Sequence, residues 1–152
     1  MPESDYWLSS YNSGNNMAYQ KFQTEIHVRP DDIDMNNHVH SSKYFDYVLT
    51  ARYDQMTRCY GMPMEQFIAR GFGWVITGCT MHFKRSLKLG DIAIVKTQIH
   101  EVRTNGVNVV FEILRKETNK ICVDGIFEYT MINLQTERAE KIPDDIIQKY
   151  SI

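Results

Sequence analysis

Polar and apolar residues alternate along the chain from Phe22. Phe22, Thr24, Ile26 and Val28 face one way, and the residues between them are polar or charged. A period of two predicts a half-buried strand. Pro30 ends this strand, because proline cannot donate a hydrogen bond to a strand ladder.

A helical pattern follows over about residues 41–60, opened by serine and closed by Gly61. Its apolar residues form two neighbouring rows on the helix surface. The first row contains Tyr44, Tyr47, Val48 and Ala51, and the second contains Phe45, Leu49 and Met56. This stripe is wider than an ordinary surface helix needs. We therefore predict a helix that other parts of the fold surround.

Four further strands are predicted after a short helix or irregular connection near residues 62–70. They cover about residues 73–85, 91–103, 107–117 and 120–134, and the turn signals between them are Leu89-Gly90-Asp91, Asn105-Gly106 and Thr118-Asn119. An Asn-Gly step is a strong hairpin signal. Successive hairpins make antiparallel neighbours, and the alternation along the last two strands gives the sheet one apolar face.

A broadly apolar helix and a sheet with one apolar face predict an α+β fold in which the sheet curls around the helix. Pro143 starts a short C-terminal helix. Residues 1–19 are rich in Ser, Asn and Gly, which predicts a flexible N-terminal arm. The remainder, residues 20–152, is expected to form one domain.

Composition narrows the possible partners. The chain has 17 basic and 19 acidic residues, which gives a net charge of -2 and argues against a nucleic acid or a membrane as the main partner. No apolar run approaches the roughly 20 residues that span a bilayer. The N-terminus also lacks the basic and apolar regions of a signal peptide, so we expect a soluble, cytoplasmic protein.

The densest polar cluster is the loop before the helix, RPDDIDMNNHVHSS. It leads into a helix N-terminus, where free amides and the positive end of the helix dipole can stabilise an oxyanion. A carboxylate, an imidazole and an anion site in one segment suit acyl transfer. The polar residues of this loop are Asp31, Asp32, Asp34, Asn36, Asn37, His38 and His40.

Two other interpretations of this loop remain open from the residues alone. Asp, Asn and Ser are common in turns and helix caps for local hydrogen-bonding reasons. A metal site is the second possibility, although the spacing of Asp32, Asp34, His38 and His40 matches no familiar ligand pattern. The three cysteines form no CxxC pair that would indicate zinc.

Residues 31–52, DDIDMNNHVHSSKYFDYVLTAR, resemble the hot-dog thioesterase superfamily. The matching branch holds the 4-hydroxybenzoyl-CoA thioesterase-like, long-chain acyl-CoA and plant acyl-ACP thioesterases, whose pattern is an aspartate, HVNN and a tyrosine within the helix. Residues 81–99, MHFKRSLKLGDIAIVKTQI, are similar to the family's later strand, turn and strand. The resemblance covers about residues 22–146. It implies a hot-dog fold that hydrolyses an acyl-CoA or acyl-carrier-protein thioester without metal or cofactor.

The resemblance also implies roles for individual residues. Asp34 aligns with the catalytic aspartate, which attacks the thioester carbonyl or activates a water. Ser41 falls where a backbone amide at the helix start polarises that carbonyl. Asn36 and His38 match the spacing of the acyl-ACP branch, where they position substrate or assist proton transfer; for His38, packing of the loop is an alternative. This sequence has HVHSS where the family has HVNN, so His40 and Ser41 stand in place of the two asparagines. A side-chain role of those asparagines is therefore not carried over, and only the role of the backbone amide remains.

Substrate-binding residues are expected on the sheet. Lys84, Arg85 and Lys88 either bind the CoA phosphates or form a solvated rim. Trp74 and its apolar neighbours either line an acyl tunnel or pack in the core. These neighbours are Met56, Met62, Met64, Phe67 and Phe72.

The family resemblance implies a homodimer or homotetramer in which sheets join edge to edge and active sites lie at the subunit interface. Two rival functions stay open. A hot-dog hydratase or dehydratase resembles a pattern with proline between Asn and His, whereas Asn37 and His38 are adjacent here. A non-catalytic acyl-thioester-binding module is the other rival, and the retained Asp34 argues against it.

Overall fold

The structure is a computed structural model that describes residues 19–152. The predicted N-terminal arm lies outside the described residues, apart from Tyr19. The strands are β1 (Lys21–His27), β2 (Phe72–Phe83), β3 (Ile92–Val102), β4 (Gly106–Arg115) and β5 (Lys120–Asn133). The helices are α1 (Ser41–Arg58), α2 (Met64–Ala69) and α3 (Asp144–Tyr150), with a 3-10 turn over Pro30–Asp32.

The five strands form one antiparallel sheet in the order β1-β3-β4-β5-β2. Two of the three predicted hairpins are confirmed, joining β3 to β4 and β4 to β5. The third, at Leu89-Gly90-Asp91, is wrong, because β2 pairs with β5 and β3 pairs with β1, so the first two strands of the chain become the two edges. Helix α1 packs on the sheet against β1 and β3. The predicted α+β hot-dog architecture is therefore confirmed. No helix within residues 19–152 is long and apolar enough to cross a membrane.

The core lies between α1 and the concave face of the sheet. Val48 and Ala51 of α1 are fully buried against Val95, Ile113 and Phe127 of the central strands. The first predicted helical row is buried throughout. The second row is buried at its end but opens to solvent in the middle. The sheet therefore covers one side of α1, and the helix is less completely surrounded than its sequence predicts.

The β3–β4 hairpin is confirmed, but Asn105 and Gly106 are not the two central residues of its turn. Gly106 is already the first residue of β4, and the Arg103 N–H donates to the Gly106 carbonyl at 2.8 Å. A Cβ atom on Gly106 would lie 2.2 Å from the carbonyl oxygen of Tyr129. Glycine is needed here because the neighbouring strand β5 approaches closely.

A buried carboxylate joins the polar loop to α1. The Asp32 residue is only 5% exposed, and the Tyr47 hydroxyl donates to its Oδ2 at 2.6 Å. The Arg29 N–H donates to the same oxygen at 3.0 Å, and the Lys43 ammonium lies 3.9 Å from Oδ1. Burial, and then the bond to Asp32, raise the pKa of Tyr47, so its hydroxyl stays protonated and remains a donor.

Replacing Tyr47 tests this anchor. Tyr47→Phe removes one donor and leaves the buried carboxylate of Asp32 less well satisfied, so we expect the free energy of unfolding to fall by about 1–3 kcal/mol. Urea unfolding measures it. Tyr53→Phe is the matched control, because the Tyr53 hydroxyl bonds the exposed Glu65. Equal losses in the two variants would contradict the anchor.

Candidate active site

The polar loop folds back on itself before α1 begins. Ile33 and Val39 form an antiparallel bridge. The Asp34 N–H donates to the His38 carbonyl at 2.8 Å, and the His40 N–H donates to the Asp32 carbonyl at 2.9 Å. These rungs place residues 32–34 opposite residues 38–40, immediately beside the helix start. The turn is tight because Asn37 at its tip adopts a left-handed conformation with φ of 59°.

The Asp34 carboxylate is held by the backbone of its own loop. Its Oδ1 accepts hydrogen bonds from the Asn36 N–H at 2.8 Å and the His38 N–H at 3.0 Å. The bond from His38 is the main cause that lowers the pKa of Asp34; partial burial opposes it, and the Asn36 bond and the nearby imidazoles of His38 and His40 support it. Asp34 is thus ionised at neutral pH. Within residues 19–152, its Oδ2 accepts no hydrogen bond and is available to a substrate or water.

The start of α1 supplies donors beside this carboxylate. Ser41 is the first helical residue, and the side chain of the preceding His40 does not cap the helix. The first amides of a helix have no acceptor within it, and they carry the positive end of the helix dipole. The Lys43 N–H already bonds the His40 carbonyl at 2.9 Å. Among the described residues, the Ser41 and Ser42 amides have no such backbone acceptor, and they are left to bind an anionic oxygen.

A second loop, residues 84–91 between β2 and β3, is hydrogen-bonded to the first. The Val39 N–H donates to the Leu87 carbonyl at 2.9 Å, and the Leu89 N–H donates to Asn37 Oδ1 at 3.0 Å. The Tyr44 hydroxyl of α1 accepts from the Leu87 N–H at 3.0 Å. The sequence analysis did not find these contacts, because they join segments about fifty residues apart.

The three cations predicted to bind CoA differ in their surroundings. The Lys84 ammonium pairs at 3.0 Å with the fully buried Asp124 of β5. Arg85 is exposed, and its Nη1 donates to the Ile121 carbonyl at 2.8 Å. Lys88 is exposed on the second loop, close to the Asp34 loop. Lys84 therefore neutralises a buried carboxylate, while Arg85 and Lys88 keep charge at the surface.

An apolar cavity of 410 Å³ lies beside the C-terminal half of α1. Trp74, Met56 and Met64 are among the residues that line it. Met62, Phe67 and Phe72 do not line it, and the first two are buried in the core instead. The lining residues are Leu49, Thr50, Arg52, Tyr53, Met56, Met64, Trp74, Ile99, Val102, Val107, Tyr129, Ile142, Ile146, Ile147 and Tyr150.

The predicted site residues fall into two separate groups. Asp34, Asn36, His38 and Ser41 come together at the start of α1. The first α1 residue of the cavity is Leu49, eight residues further on. Since a helix rises 1.5 Å per residue, this is about 12 Å along the helix. Trp74 therefore does not meet Asp34 within one chain, which sequence reasoning had no means to foresee.

The metal alternative gains nothing from the geometry. In the part of the chain that the structure describes, no three His, Cys, Asp or Glu side chains are grouped as metal ligands. Asp32, one of the four candidates, instead directs its carboxylate at Tyr47 and the Arg29 amide.

Comparison with known proteins agrees with the fold. The sequence profile of the Thioesterase-like superfamily matches residues 28–150. The long-chain acyl-CoA thioesterase FadM of Escherichia coli is 20% identical over 84% of this chain and 95% of its own length. The DHNA-CoA thioesterase of Staphylococcus aureus superposes with a TM-score of 0.80 at 20% identity, covering 86% of this chain and 89% of that one.

A third similar protein was solved in complex with CoA. The hypothetical protein SAV2348 of Staphylococcus aureus, in complex with CoA, has a TM-score of 0.75 at 18% identity and covers 90% of this chain and 85% of that one. The described fold is that of hot-dog thioesterases. The chain belongs to the thioesterase-like superfamily.

The loop amides predict how Asp34 titrates. Because two N–H groups stabilise its ionised form, we expect the carboxyl carbon of Asp34 to titrate in NMR below the ordinary value of 3.8. Its ionisation then favours the folded state above that pH, and this contribution disappears as the pH falls through the folded-state pKa. A midpoint at or above 3.8 would show that the loop amides do not act on this carboxylate.

Proposed function

We propose that this protein hydrolyses an acyl-CoA, or acyl-carrier-protein, thioester at Asp34. One observation carries the proposal: an ionised carboxylate with an available oxygen lies beside the unpaired amides at the start of α1. A thioester carbonyl is already reactive, so its hydrolysis needs chiefly a positioned carboxylate and an oxyanion site.

The two groups have complementary parts in the reaction. The Ser41 amide binds the carbonyl oxygen, which gains negative charge as the tetrahedral intermediate forms. Asp34 Oδ2 either accepts a proton from the attacking water or attacks the carbonyl carbon itself. In both routes the carbon–sulfur bond breaks, the thiol leaves with a proton, and water supplies the second oxygen of the acid. Both require Asp34 to be ionised.

Asn36 and His38 have supporting parts in this proposal. Their backbone amides hold Asp34 Oδ1, which directs the other oxygen outward. Their side chains are exposed at the same loop, where they can contact the substrate or pass a proton to the leaving sulfur.

The CoA portion is proposed to lie across the second loop. Arg85 and Lys88 carry exposed positive charge there, next to the Asp34 loop to which this segment is hydrogen-bonded. Phosphate oxygens bind such cations well. The CoA complex of SAV2348 and the acyl-CoA named for FadM support this substrate class. Trp74 is proposed to contact the acyl group in the cavity.

Replacing the carboxylate tests the proposal. Asp34→Asn and Asp34→Ala should each lower kcat/KM for acyl-CoA hydrolysis by about a hundredfold or more, since a general base contributes about that much. Thiol release from a panel of acyl-CoAs measures it. Asp31→Asn is the matched control, because Asp31 lies in the same loop but is exposed and paired with Arg29 at 3.1 Å. Near-normal rates in both Asp34 variants would exclude it from the mechanism.

The catalytic unit is proposed to be a homodimer, alone or within a homotetramer. Strand β2 pairs only with β5 among the described strands, and two of its apolar residues, Val75 and Phe83, are exposed. An open edge of this length favours pairing with a second copy. If the β2 strands of two subunits pair antiparallel, their α1 helices run in opposite directions. The Asp34 loop of one subunit then approaches the cavity end of α1 in its partner.

Light scattering tests the dimer directly. At micromolar concentration we expect a mass of two chains, or of four if dimers associate further. A mass equal to one chain, under conditions where thioester hydrolysis is measured, would contradict an active site shared between subunits.

A further inference from the structure

Arg52 places a positive charge inside the apolar cavity. It is 8% exposed and lines the cavity midway along α1. Its Nη1 donates to the Thr97 hydroxyl at 3.2 Å, and its guanidinium carbon lies 5.4 Å from the centre of the Tyr60 ring. Within residues 19–152 it forms no ion pair. A guanidinium has five N–H donors and remains charged in proteins, so its pairing here is incomplete.

The polar residues around Arg52 do not neutralise it. The Thr97 hydroxyl donates to the Gln55 side-chain oxygen, and the Gln55 amide donates to the Thr24 hydroxyl at 3.1 Å. This series of hydrogen bonds contains no charged group before Asp54. The Asp54 carboxylate is already bound by Thr24 at 2.7 Å and Arg58 at 2.9 Å. A buried charge without a counter-charge is costly. The cavity is therefore suited to an anion.

A second donor meets Arg52 in the cavity. The Tyr129 hydroxyl is buried and has no hydrogen-bond partner among the described residues. Burial raises the pKa of Tyr129 to about 12, and the charge of Arg52 opposes this rise. Burial also raises the pKa of Tyr150, again against the charge of Arg52. The Tyr150 hydroxyl donates to the Met62 carbonyl at 2.7 Å, so Tyr129 is the hydroxyl left for a ligand.

The cavity has an exposed end and a buried end. Its rim contains the more exposed residues Leu49, Tyr53 and Met64, at 36%, 46% and 36%. Arg52 and Met56 are buried below that rim. A ligand that enters past the rim thus brings its leading end to Arg52 and keeps its body against apolar walls.

We propose that the cavity binds an apolar ligand whose inner end carries a carboxylate, held by Arg52 and Tyr129. This inference rests on the proposed function for one point, that the ligand is the acyl group of a thioester. The substrate is then an acyl thioester with a second, free carboxylate at the far end of its chain. An acyl chain ending in a methyl group leaves the guanidinium buried beside hydrocarbon, which disfavours it.

Ligand binding tests the carboxylate site without turnover. Calorimetry compares octanoate with octanol, which has the same chain length and no charge. We expect octanoate to bind about tenfold more tightly to the wild-type protein, equivalent to about 1.4 kcal/mol. Arg52→Met should abolish this preference, and Tyr129→Phe should reduce it. Arg58→Met is the matched control, because Arg58 is an exposed arginine of the same helix that pairs with Asp54, and it should keep the preference.

Two results would overturn the site. One is equal or tighter binding of octanol by the wild-type protein, which needs no variant. The other is a preference for octanoate that survives in Arg52→Met, once urea unfolding shows that variant to be folded. If Arg52→Met does not fold, an unchanged preference in Tyr129→Phe overturns the arrangement instead.

Turnover separates this inference from the proposed function. Octanedioyl-CoA with a free terminal carboxyl should have about tenfold higher kcat/KM than octanoyl-CoA, and Arg52→Met should remove the difference. Faster hydrolysis of octanoyl-CoA leaves the thioesterase function standing and overturns the inferred substrate class. If neither ester is hydrolysed but octanoate binding depends on Arg52, the proposed acyl-CoA function fails while the carboxylate site is upheld.

Discussion

The hydrogen bond between Tyr47 and the buried Asp32 is the contact on which the arrangement of the active-site loop depends. It joins the loop to the first turns of α1, while the Arg29 amide bonds the same carboxylate. With residue 32 held, the following residues can only turn back over the helix start, where the bridge between Ile33 and Val39 closes the loop. A mobile loop would leave the neighbouring carboxylate without a defined position.

Two aspartates two residues apart illustrate how environment assigns roles. Asp32 is buried, and a tyrosine hydroxyl and a backbone amide bind its carboxylate, so it serves the structure. Asp34 is half-exposed, and two amides of its own loop bind only one of its oxygens. The same amides lower the pKa of Asp34, which keeps the carboxylate ionised. Only the second arrangement combines an ionised group with access to a substrate.

Long-range pairing explains where the predictions for the substrate site were incomplete. Lys84 is a predicted CoA-binding residue, but it pairs with Asp124, which lies forty residues away in the neighbouring strand β5. Trp74 lines a cavity, and about 12 Å of α1 separates that cavity from Asp34. The sequence analysis assigned no role to Arg52. Its burial, and its lack of a carboxylate partner among the described residues, emerge only when β3 and the C-terminal segment pack around it.

The sequence by itself determined the elements, the β3–β4 and β4–β5 hairpins and the identity of the loop that carries Asp34. These follow from local periodicity, turn residues and a short motif, all of which act over a few residues. Only the tertiary structure decided which aspartate is buried, which cations are neutralised and what the cavity holds. Burial and pairing depend on side chains that are distant in the chain, and their energetics change with the surroundings that folding creates.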